Sequence, residues 1–336
     1  MQMKLFIPEL LANAEAGFWF PAQGSTVAEN VDSVYFFILW VCTFFFVLIV
    51  GLMLLFMVKY RYRPGVEAEN TATHNLTLEL SWSVIPTLLT IVMFWVGFTS
   101  YLDMRTPPAA SYQIDVVAKK WVWAFKYPNG WIESELHIPL DENVTLTMAS
   151  DDVIHSLWIP AFRTKMDVVP GRYTQEWFKA IAPPVPEGEE SVEYPLEYPL
   201  MCSEYCGTKH SEMVTKVVVH ETRGDFDKWL QAAADIHKNK DPIEAGEYFY
   251  KSRGCIQCHS LDGSIVKGPS FKGLFGSERT FADGTTRIAD ANYITQSILE
   301  PQSQVVANFP PVMPTFKGQL KDEDIRAIIR FIEAQK

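Results

Sequence analysis

Two long stretches without charged side chains limit what the first third of this chain can fold into. Residues 34–58 (VYFFILWVCTFFFVLIVGLMLLFMV) and residues 82–102 contain no Asp, Glu, Lys or Arg. A helix of about 25 residues is roughly 37 Å long, enough to cross a bilayer with some tilt. A pair of buried core helices is the alternative, but soluble core helices rarely continue so far without a charge. The sequence therefore predicts a two-helix transmembrane hairpin.

The charges beside the first stretch predict how the hairpin is oriented. Lys59, Arg61 and Arg63 follow it directly, and only Lys4 precedes it. Basic residues favour the cytoplasmic side. We therefore expect a multi-pass protein of the bacterial inner membrane, with both termini and all later domains on the outer, periplasmic side. Residues 1–16 weakly resemble a signal peptide, so N-terminal processing stays undecided.

Charge and cysteine usage exclude two classes of protein. The net charge of −11 is opposite in sign to the basic surface that nucleic-acid-binding proteins carry, so no nucleic-acid partner is expected. Four of the five cysteines fall in two compact motifs, and Cys42 lies in the first apolar stretch, where we expect an inert thiol. The spacing does not suggest a disulfide framework.

After the second apolar stretch the pattern changes to that of β-strands. Trp121, Trp123, Phe125 and Tyr127 alternate with smaller or polar residues, which predicts one aromatic strand face. Further strand-like runs separated by turn residues occupy residues 144–148, 153–159, 173–180 and 213–220. Several short strands at this spacing predict a β-sandwich or barrel.

A cluster of soft ligands interrupts this β-rich region. Cys202, Cys206, His210 and Met213 follow one another at spacings of four, four and three residues. Thiolate, imidazole and thioether together favour copper. Two such cysteines can bridge two copper ions, each capped by a histidine, and His155 on an upstream strand would be the second histidine. A structural zinc site is the alternative, but it gives Met213 no role.

A second motif, CIQCH at residues 255–259, predicts a covalently attached heme. Cys255 and Cys258 would bond the heme vinyl groups, and His259 would bind the iron. A redox dithiol is the alternative for the two cysteines alone. Met313, in a proline-rich stretch, is the last methionine of the chain and the expected sixth iron ligand. Helical patterns at residues 245–251 and 321–334 flank these ligands.

These patterns divide the chain into four parts. Residues 1–103 hold the N-terminal segment and the hairpin, 104–222 the copper-binding domain, 223–240 a linker with a short helical stretch, and 241–336 the heme domain. Residues 182–199, rich in proline and glutamate, are expected to form an exposed insertion of unknown role.

The motifs resemble those of known families. The CSEYCGTKHSEM motif at 202–213, with the runs 152–160 and 165–172, resembles the binuclear copper signature of subunit II of heme–copper cytochrome c oxidases. This resemblance covers about residues 30–220, and residues 241–336 are similar to class I cytochrome c. It implies a multidomain membrane protein with a two-helix transmembrane hairpin, a cupredoxin-like β-barrel or sandwich, and an all-α class I cytochrome c domain.

The resemblance also implies a full ligand set for the binuclear copper centre, CuA. The side-chain ligands would be His155, Cys202, Cys206, His210 and Met213. Glu204 would bind copper through its backbone carbonyl, and its carboxylate would reach a magnesium ion shared with subunit I. A solvated Glu204 side chain is the alternative for that carboxylate.

Two more roles follow from the resemblance alone. Trp121 matches the aromatic position where such oxidases accept electrons, although an aromatic on a strand is also typical of a core or an interface. Glu79 matches a carboxylate at the mouth of a proton channel into subunit I, and a plain interfacial charge at a helix end is the alternative.

The expected function is that of subunit II of a respiratory cytochrome c oxidase with a fused cytochrome c domain. Electrons would pass from an external donor through covalent heme c and the copper pair to the hemes of subunit I, which reduces oxygen to water with proton translocation. Expected partners are subunit I and other oxidase subunits, membrane lipid, and cytochrome c or a quinol:acceptor reductase complex as donor. A tether of about twenty residues would hold the two centres at roughly millimolar effective concentration.

A membrane-anchored carrier or sensor serving another reductase, such as one for nitrous oxide, is the alternative function. The hairpin and Glu79 argue against it, because a simple carrier needs one anchor at most. A quinol oxidase subunit is disfavoured, since such subunits lack the copper ligands.

Overall fold

The structure, a computed structural model, describes residues 17–66, 73–185 and 191–336. The described residues form two compact units. One is built on the residues before Ala110 with two short later segments, and the other comprises Ala110–Pro160, Thr164–Glu176 and Glu193–Lys336. The weak resemblance to a signal peptide at residues 1–16 lies outside the described residues.

The first unit contains the predicted hairpin. Helix α1 spans Ala28–Lys59 and helix α2 spans Leu76–Arg105, and both are long and apolar enough to cross a membrane. Each is longer than its uncharged stretch, because polar turns continue the helix at both ends. Asn75 caps α2 by accepting from the Leu78 N–H at 3.1 Å.

A buried ion pair lies at the start of α1 in the same unit. Asp32 accepts from Arg163 Nε at 2.8 Å and from Nη2 at 2.9 Å, and Gln23 donates to the same carboxylate at 2.9 Å. This pairing joins α1 to the 161–163 turn.

The middle of the chain is a sandwich of two five-stranded sheets. The first sheet has the order β3-β2-β1-β5-β8 and the second β4-β10-β9-β6-β7. Their strands are β1 Tyr112–Lys119, β2 Val122–Lys126, β3 Ile132–Glu133, β4 Leu136–Pro139, β5 Asn143–Ser150, β6 His155–Ile159, β7 Thr164–Val168, β8 Thr174–Lys179, β9 Leu196–Cys202 and β10 Val214–His220. The β1–β5 and β4–β10 pairs are parallel. Parallel neighbours cannot be joined by a short hairpin turn, so a longer crossover connects the strands of each pair.

The aromatic alternation is confirmed with one correction. Trp123, Phe125 and Tyr127 are buried on one face. Trp121, however, lies in the turn between β1 and β2 rather than on the strand. Its side chain is half-buried, whereas the other three aromatic side chains are buried.

The segment expected to be a tether is folded. Helices α3, Arg223–Ala234, and α4, Ile236–Asn239, occupy it. Phe226 is fully buried, and the Trp229 ring stacks on His137 with centroids 3.7 Å apart. The apolar face of α3 thus covers the second sheet, so the link between the later domains is shorter than the sequence suggested.

The C-terminal domain is helical around a small hairpin. Its elements are α5 Pro242–Ser252, β11 Glu278–Thr280, β12 Thr286–Ile288, α6 Ala291–Leu299 and α7 Asp322–Ala334. The sequence patterns indicated α5 and α7 but not α6 or the hairpin. Of the acidic insertion, Glu187, Glu189 and Glu190 lie outside the described residues, and β9 begins within its predicted range, at Leu196.

Candidate functional site

The four soft ligands occupy the loop that joins two neighbouring strands. Cys202 ends β9, and Met213 directly precedes β10. The Cys202 N–H donates to the Met213 carbonyl at 3.2 Å and closes the loop at its base. Strand β6 pairs with β9 through Leu157 and Cys202, and this pairing brings His155 to the loop.

The predicted copper ligands converge at this loop. Cys202 Sγ lies 3.8 Å from Cys206 Sγ and 3.8 Å from His155 Nδ1. Cys206 Sγ lies 3.5 Å from His210 Nδ1 and 3.8 Å from Met213 Sδ. Each sulfur thus has its own imidazole, and a soft donor set of this kind fits copper better than a hard cation.

The backbone of Glu204 completes the set. Its carbonyl oxygen lies 3.3 Å from Cys202 Sγ, while its side chain is exposed. The two functions predicted for this residue are thereby separated, with the carbonyl facing the thiols and the carboxylate facing outward.

The two thiols are electrostatically unlike each other. Burial opposes ionisation of Cys202, but hydrogen bonds with His155, backbone groups and Cys206 outweigh it and lower the pKa of that thiol. Burial and the nearby Cys202 sulfur raise the pKa of Cys206. Two anionic sulfurs at this separation repel each other. Both thiols can therefore lose their protons only when bound cations offset this repulsion.

Asp152 is a functional residue that the sequence reasoning missed. His155 Nε2 lies 2.9 Å from Asp152 Oδ1, which leaves Nδ1 to face the sulfur. Burial raises the pKa of Asp152, but hydrogen bonds from His155 and from the Lys120 and Val153 N–H groups lower it to about 2. A carboxylate behind a metal-binding histidine fixes the tautomer of the ring. The Asp-x-x-His spacing was the available signal.

The two other predicted site residues differ in their distance from these ligands. The Trp121 side chain is half-buried beside the loop, and its Nε1 has no hydrogen-bond partner among the described residues. Glu79 lies in the first turn of α2, in the first unit, where it accepts from the Asn75 N–H at 3.2 Å. That contact caps the first turn of α2, and the role of Glu79 in proton transfer stays a prediction.

The C-terminal domain holds its histidine in a fixed orientation. His259 Nδ1 donates to the Pro269 carbonyl at 2.7 Å, and the Phe271 ring stacks on the imidazole with centroids 4.7 Å apart. A Cβ on Gly268 would lie 2.6 Å from His259 Cε1, so only glycine leaves room for the ring. Burial lowers the pKa of His259, which keeps the imidazole neutral, as an iron ligand must be.

A cavity opens beside this histidine and fits a heme. Cys255, Cys258, His259 and Met313 all line it, and the rest of its wall is mainly apolar. Ser297 Oγ lies 3.9 Å from Met313 Sδ and places the thioether at the cavity. The residues present thus match the group that the motif predicts: two thiols, one oriented imidazole and one thioether around an apolar slot.

Three family models match the chain, each over one part of it. The model for cytochrome c oxidase subunit II, transmembrane domain, matches residues 13–101, and that for the periplasmic domain of the same subunit matches residues 130–221. The model for cytochrome c matches residues 243–336.

Individual proteins match across these parts. Cytochrome c oxidase subunit 2 of Alkalihalophilus pseudofirmus is 28% identical over 302 residues, covering 86% of this chain and 82% of that protein. The subunit of the same name from Thermostichus vulcanus is 30% identical over 264 residues, covering 62% of this chain and 76% of that protein. A solved structure of the periplasmic domain of subunit II of the Bradyrhizobium japonicum oxidase is 27% identical, covers 39% of this chain and 98% of that one, and superposes with a TM-score of 0.33.

Proposed function

The chain belongs to the family of cytochrome c oxidase subunit II, and on that premise we propose that it relays electrons from an external donor, through a covalent heme c and a binuclear copper centre, to subunit I. A terminal oxidase of this family is an enzyme complex, and this chain is one of its subunits, with a cytochrome c domain at its C-terminus. The finer assignment, with oxygen reduction and proton translocation in subunit I, is part of the proposal.

The convergence of the soft ligands on one loop carries this proposal. Both thiols lie within 4.8 Å of each other and of a His155 nitrogen, and all three residues are buried. His210 and Met213 cap the Cys206 side of the same pair. When bound there, two coppers would supply reversible one-electron transfer. The chain itself holds the ligands on a closed loop between two strands, which limits their movement when the charge changes.

The C-terminal cavity supports the second half of the relay. Cys255 and Cys258 would attach a heme, and His259 and Met313 would bind its iron, since all four line one cavity. A methionine ligand raises the potential of a heme, which suits a donor to an oxidase. The domain limits at residues 103, 222 and 240 belong to the same proposal.

The remaining predicted roles are proposed on weaker support. The exposed carboxylate of Glu204 would reach magnesium at the contact with subunit I. Glu79 would receive protons for a channel in subunit I, and its partly exposed position at the start of α2 allows this. The outward orientation of both later domains rests on the basic residues that follow α1, and the donor would be cytochrome c or a quinol:acceptor reductase complex.

Low-temperature electron paramagnetic resonance on the full chain, purified from membranes of cells that attach c-type heme and supplied with copper, tests the proposal. We expect a mixed-valence copper signal with multi-line hyperfine structure beside a low-spin heme signal. Heme without that copper signal, together with stoichiometric zinc by metal analysis, would replace the relay with a structural metal site.

A further inference from the structure

The copper-ligand loop and the heme-attachment turn lie against each other in the second unit, and a lysine extends from the loop to the turn. Lys209 lies between the ligands Cys206 and His210, and its Nζ donates to the carbonyl of Gln257. Gln257 in turn stands between the two cysteines of the heme motif. The Lys209 side chain is only 14% exposed and also pairs with Glu212 at 3.1 Å. It is therefore held in this contact from both sides.

A second lysine extends in the opposite direction. Lys267 follows the heme motif, and its Nζ donates to Thr208 Oγ1 on the copper-ligand loop at 2.5 Å. The same ammonium group lies 3.5 Å from the centroid of the Trp121 ring, a favourable cation–π position. We call Lys209 and Lys267 together the lysine clasp.

The turn before the heme motif and the start of β2 also approach each other closely. Gly254 has φ +72°, and a Cβ at this position would lie 2.1 Å from Val122 Cγ1. Only glycine allows the turn before the heme motif to approach the β1–β2 turn this closely. On the other side of the cavity, Lys119 donates to Gln319 Oε1 at 2.9 Å.

The sandwich and the cytochrome domain also meet at a second, buried patch away from the copper-ligand loop and the heme-attachment turn. The rings of Trp131 and Tyr248 stack with centroids 6.1 Å apart, and the Tyr248 hydroxyl donates to Glu133. The Arg253 guanidinium lies 5.7 Å from the Trp131 ring. The C-terminal domain thus has an aromatic and polar seat on the sandwich, formed from residues of both.

We propose that the lysine clasp holds the cytochrome domain in one seated position, with its heme-attachment turn on the copper-ligand loop, so that Lys209 and Lys267 are positioning residues for electron transfer within the chain. The proposal rests on the proposed function and adds a fixed geometry to it. Each lysine joins a residue adjacent to one centre with a residue near the other, so the two contacts together keep the heme-attachment turn on the copper-ligand loop. Since electron transfer weakens steeply with distance, a domain that is only tethered would spend most of its time too far away.

The seated position also determines where an external donor binds. Lys267 Nζ lies 3.5 Å from the centroid of the Trp121 ring, so the cytochrome domain occupies that face of the ring while the clasp is closed. In this chain Trp121 therefore faces the attached cytochrome domain, and the external donor must deliver its electron to the cytochrome domain instead.

Pulsed electron paramagnetic resonance between two spin labels on the assembled, fully reduced oxidase tests the seated position without relying on turnover. Labels would be placed with Tyr173→Cys, 78% exposed on the sandwich, and Arg330→Cys, 65% exposed on α7, after Cys42→Ser. We expect one narrow distance distribution. The double variant Lys209→Met, Lys267→Met should broaden it at least about twofold, and should slow heme-to-copper transfer after flash photolysis by about tenfold or more.

Matched variants separate the clasp from a general loss of charge. Lys317→Met removes a lysine of the same domain whose side chain is 73% exposed, and it should leave both distance and rate unchanged. Lys209→Arg keeps a cationic donor and should restore most of the narrow distribution.

The outcomes distinguish this proposal from the proposed function. A broad distribution in the unaltered chain, or a narrow one with an unchanged transfer rate in the double variant, would overturn the clasp while the copper and heme signals stand. Absence of the copper signal in the unaltered chain would overturn the relay, whatever the label distance.

Discussion

At the scale of single residues, the two thiols of the copper loop set the chemistry of the site. Their sulfurs lie 3.8 Å apart, and their pKa values are moved in opposite directions by unlike surroundings. A pair of cations removes this conflict, and the Met213 thioether, 1% exposed, adds a neutral soft donor. This ligand set is the basis of our proposal that the loop holds a metal pair that changes charge by one electron.

Replacing Met213 by Leu tests the thioether ligand. The two side chains have similar volumes, so the fold should lose less than about 1.5 kcal/mol. We expect altered copper hyperfine splitting and a shifted copper potential, with an unchanged heme absorption spectrum. Met148→Leu, the same exchange at a fully buried position of β5, is the control and should alter neither centre. Loss of both centres in Met213→Leu would mean that the domains are wrongly divided.

Glu133 should make the stability of the folded chain depend on pH. Its burial raises the pKa of the carboxyl to about 7; the Ser134 N–H and Arg253 oppose the rise, and Glu135 adds to it. Between the ordinary pKa of 4.5 and about 7, the unfolded chain loses this proton and the folded chain keeps it. The stability contributed by Glu133 therefore falls as pH rises through this window, by about 3 kcal/mol in all.

Glu133→Gln removes that titration while leaving a hydrogen-bond acceptor for Tyr248. We expect the variant to gain stability relative to the unaltered chain between pH 5 and pH 8, measured as the difference in apparent Tm in detergent. Other groups, including His220, whose pKa burial lowers to about 4, titrate equally in both proteins and cancel. A difference that stays constant with pH would show that Glu133 does not titrate there.

At the scale of elements, helix α3 links the sandwich to the cytochrome domain and is itself part of the packing. The Trp229 ring lies parallel to His137, with an interplanar angle of 8°, and it also contacts Tyr127 and His220. Burial lowers the pKa of His137, which keeps that ring neutral beneath the indole. A short, packed helix limits where the next domain can lie far more than a flexible tether would.

Trp229→Ala should release α3 from the sheet. Removing a half-buried indole from an aromatic cluster costs about 2–3 kcal/mol. Amide hydrogen exchange across Arg223–Ala234 should accelerate by one to two orders of magnitude, while β5 remains protected. Lys228→Ala, on an 81% exposed side chain of the same helix, should change neither. Unchanged exchange in Trp229→Ala would mean that other contacts hold the helix.

At the scale of the whole molecule, one buried ion pair holds the start of the membrane hairpin to a distant part of the chain. Asp32 and Arg163 are 131 residues apart, and their side chains are 4% and 5% exposed. The paired geometry is bidentate, which makes an arginine and a carboxylate specific for each other. Breaking a buried pair leaves a charge without its counterpart and is strongly destabilising.

Asp32→Asn should therefore lower the stability of the chain by about 3–5 kcal/mol. The apparent Tm of the detergent-solubilised chain is the measurement, because the first unit should unfold at the lower temperature. Glu29→Gln removes a charge from an exposed position in the first turn of the same helix and should have little effect. Equal Tm values for the two variants would count against a structural role for the pair.

Much of the architecture and of the ligand set follows from local patterns. The hairpin was predictable because a long run of apolar residues without charge is stable as a helix within the bilayer. The helices of the structure include both predicted spans. The candidate ligands could be named because soft metal chemistry needs those residue types at short spacing, and their role as ligands stays a prediction. Strands β1 and β9 and helix α6 were not predicted, because their patterns are short and only pairing or packing stabilises them.

What the sequence determined by itself is which groups are candidates for binding metal and which segments are long and apolar enough to meet lipid, since both depend on residue type and spacing. The tertiary structure alone decided that Trp121 leaves the strand for a turn, and that the helical stretch predicted in the linker packs on the second sheet through Trp229. It also decided that Lys209 and Lys267 meet residues of the other domain. Such contacts join residues about 50 or more positions apart, and a side-chain contact at that separation has no periodicity or spacing from which it could be read.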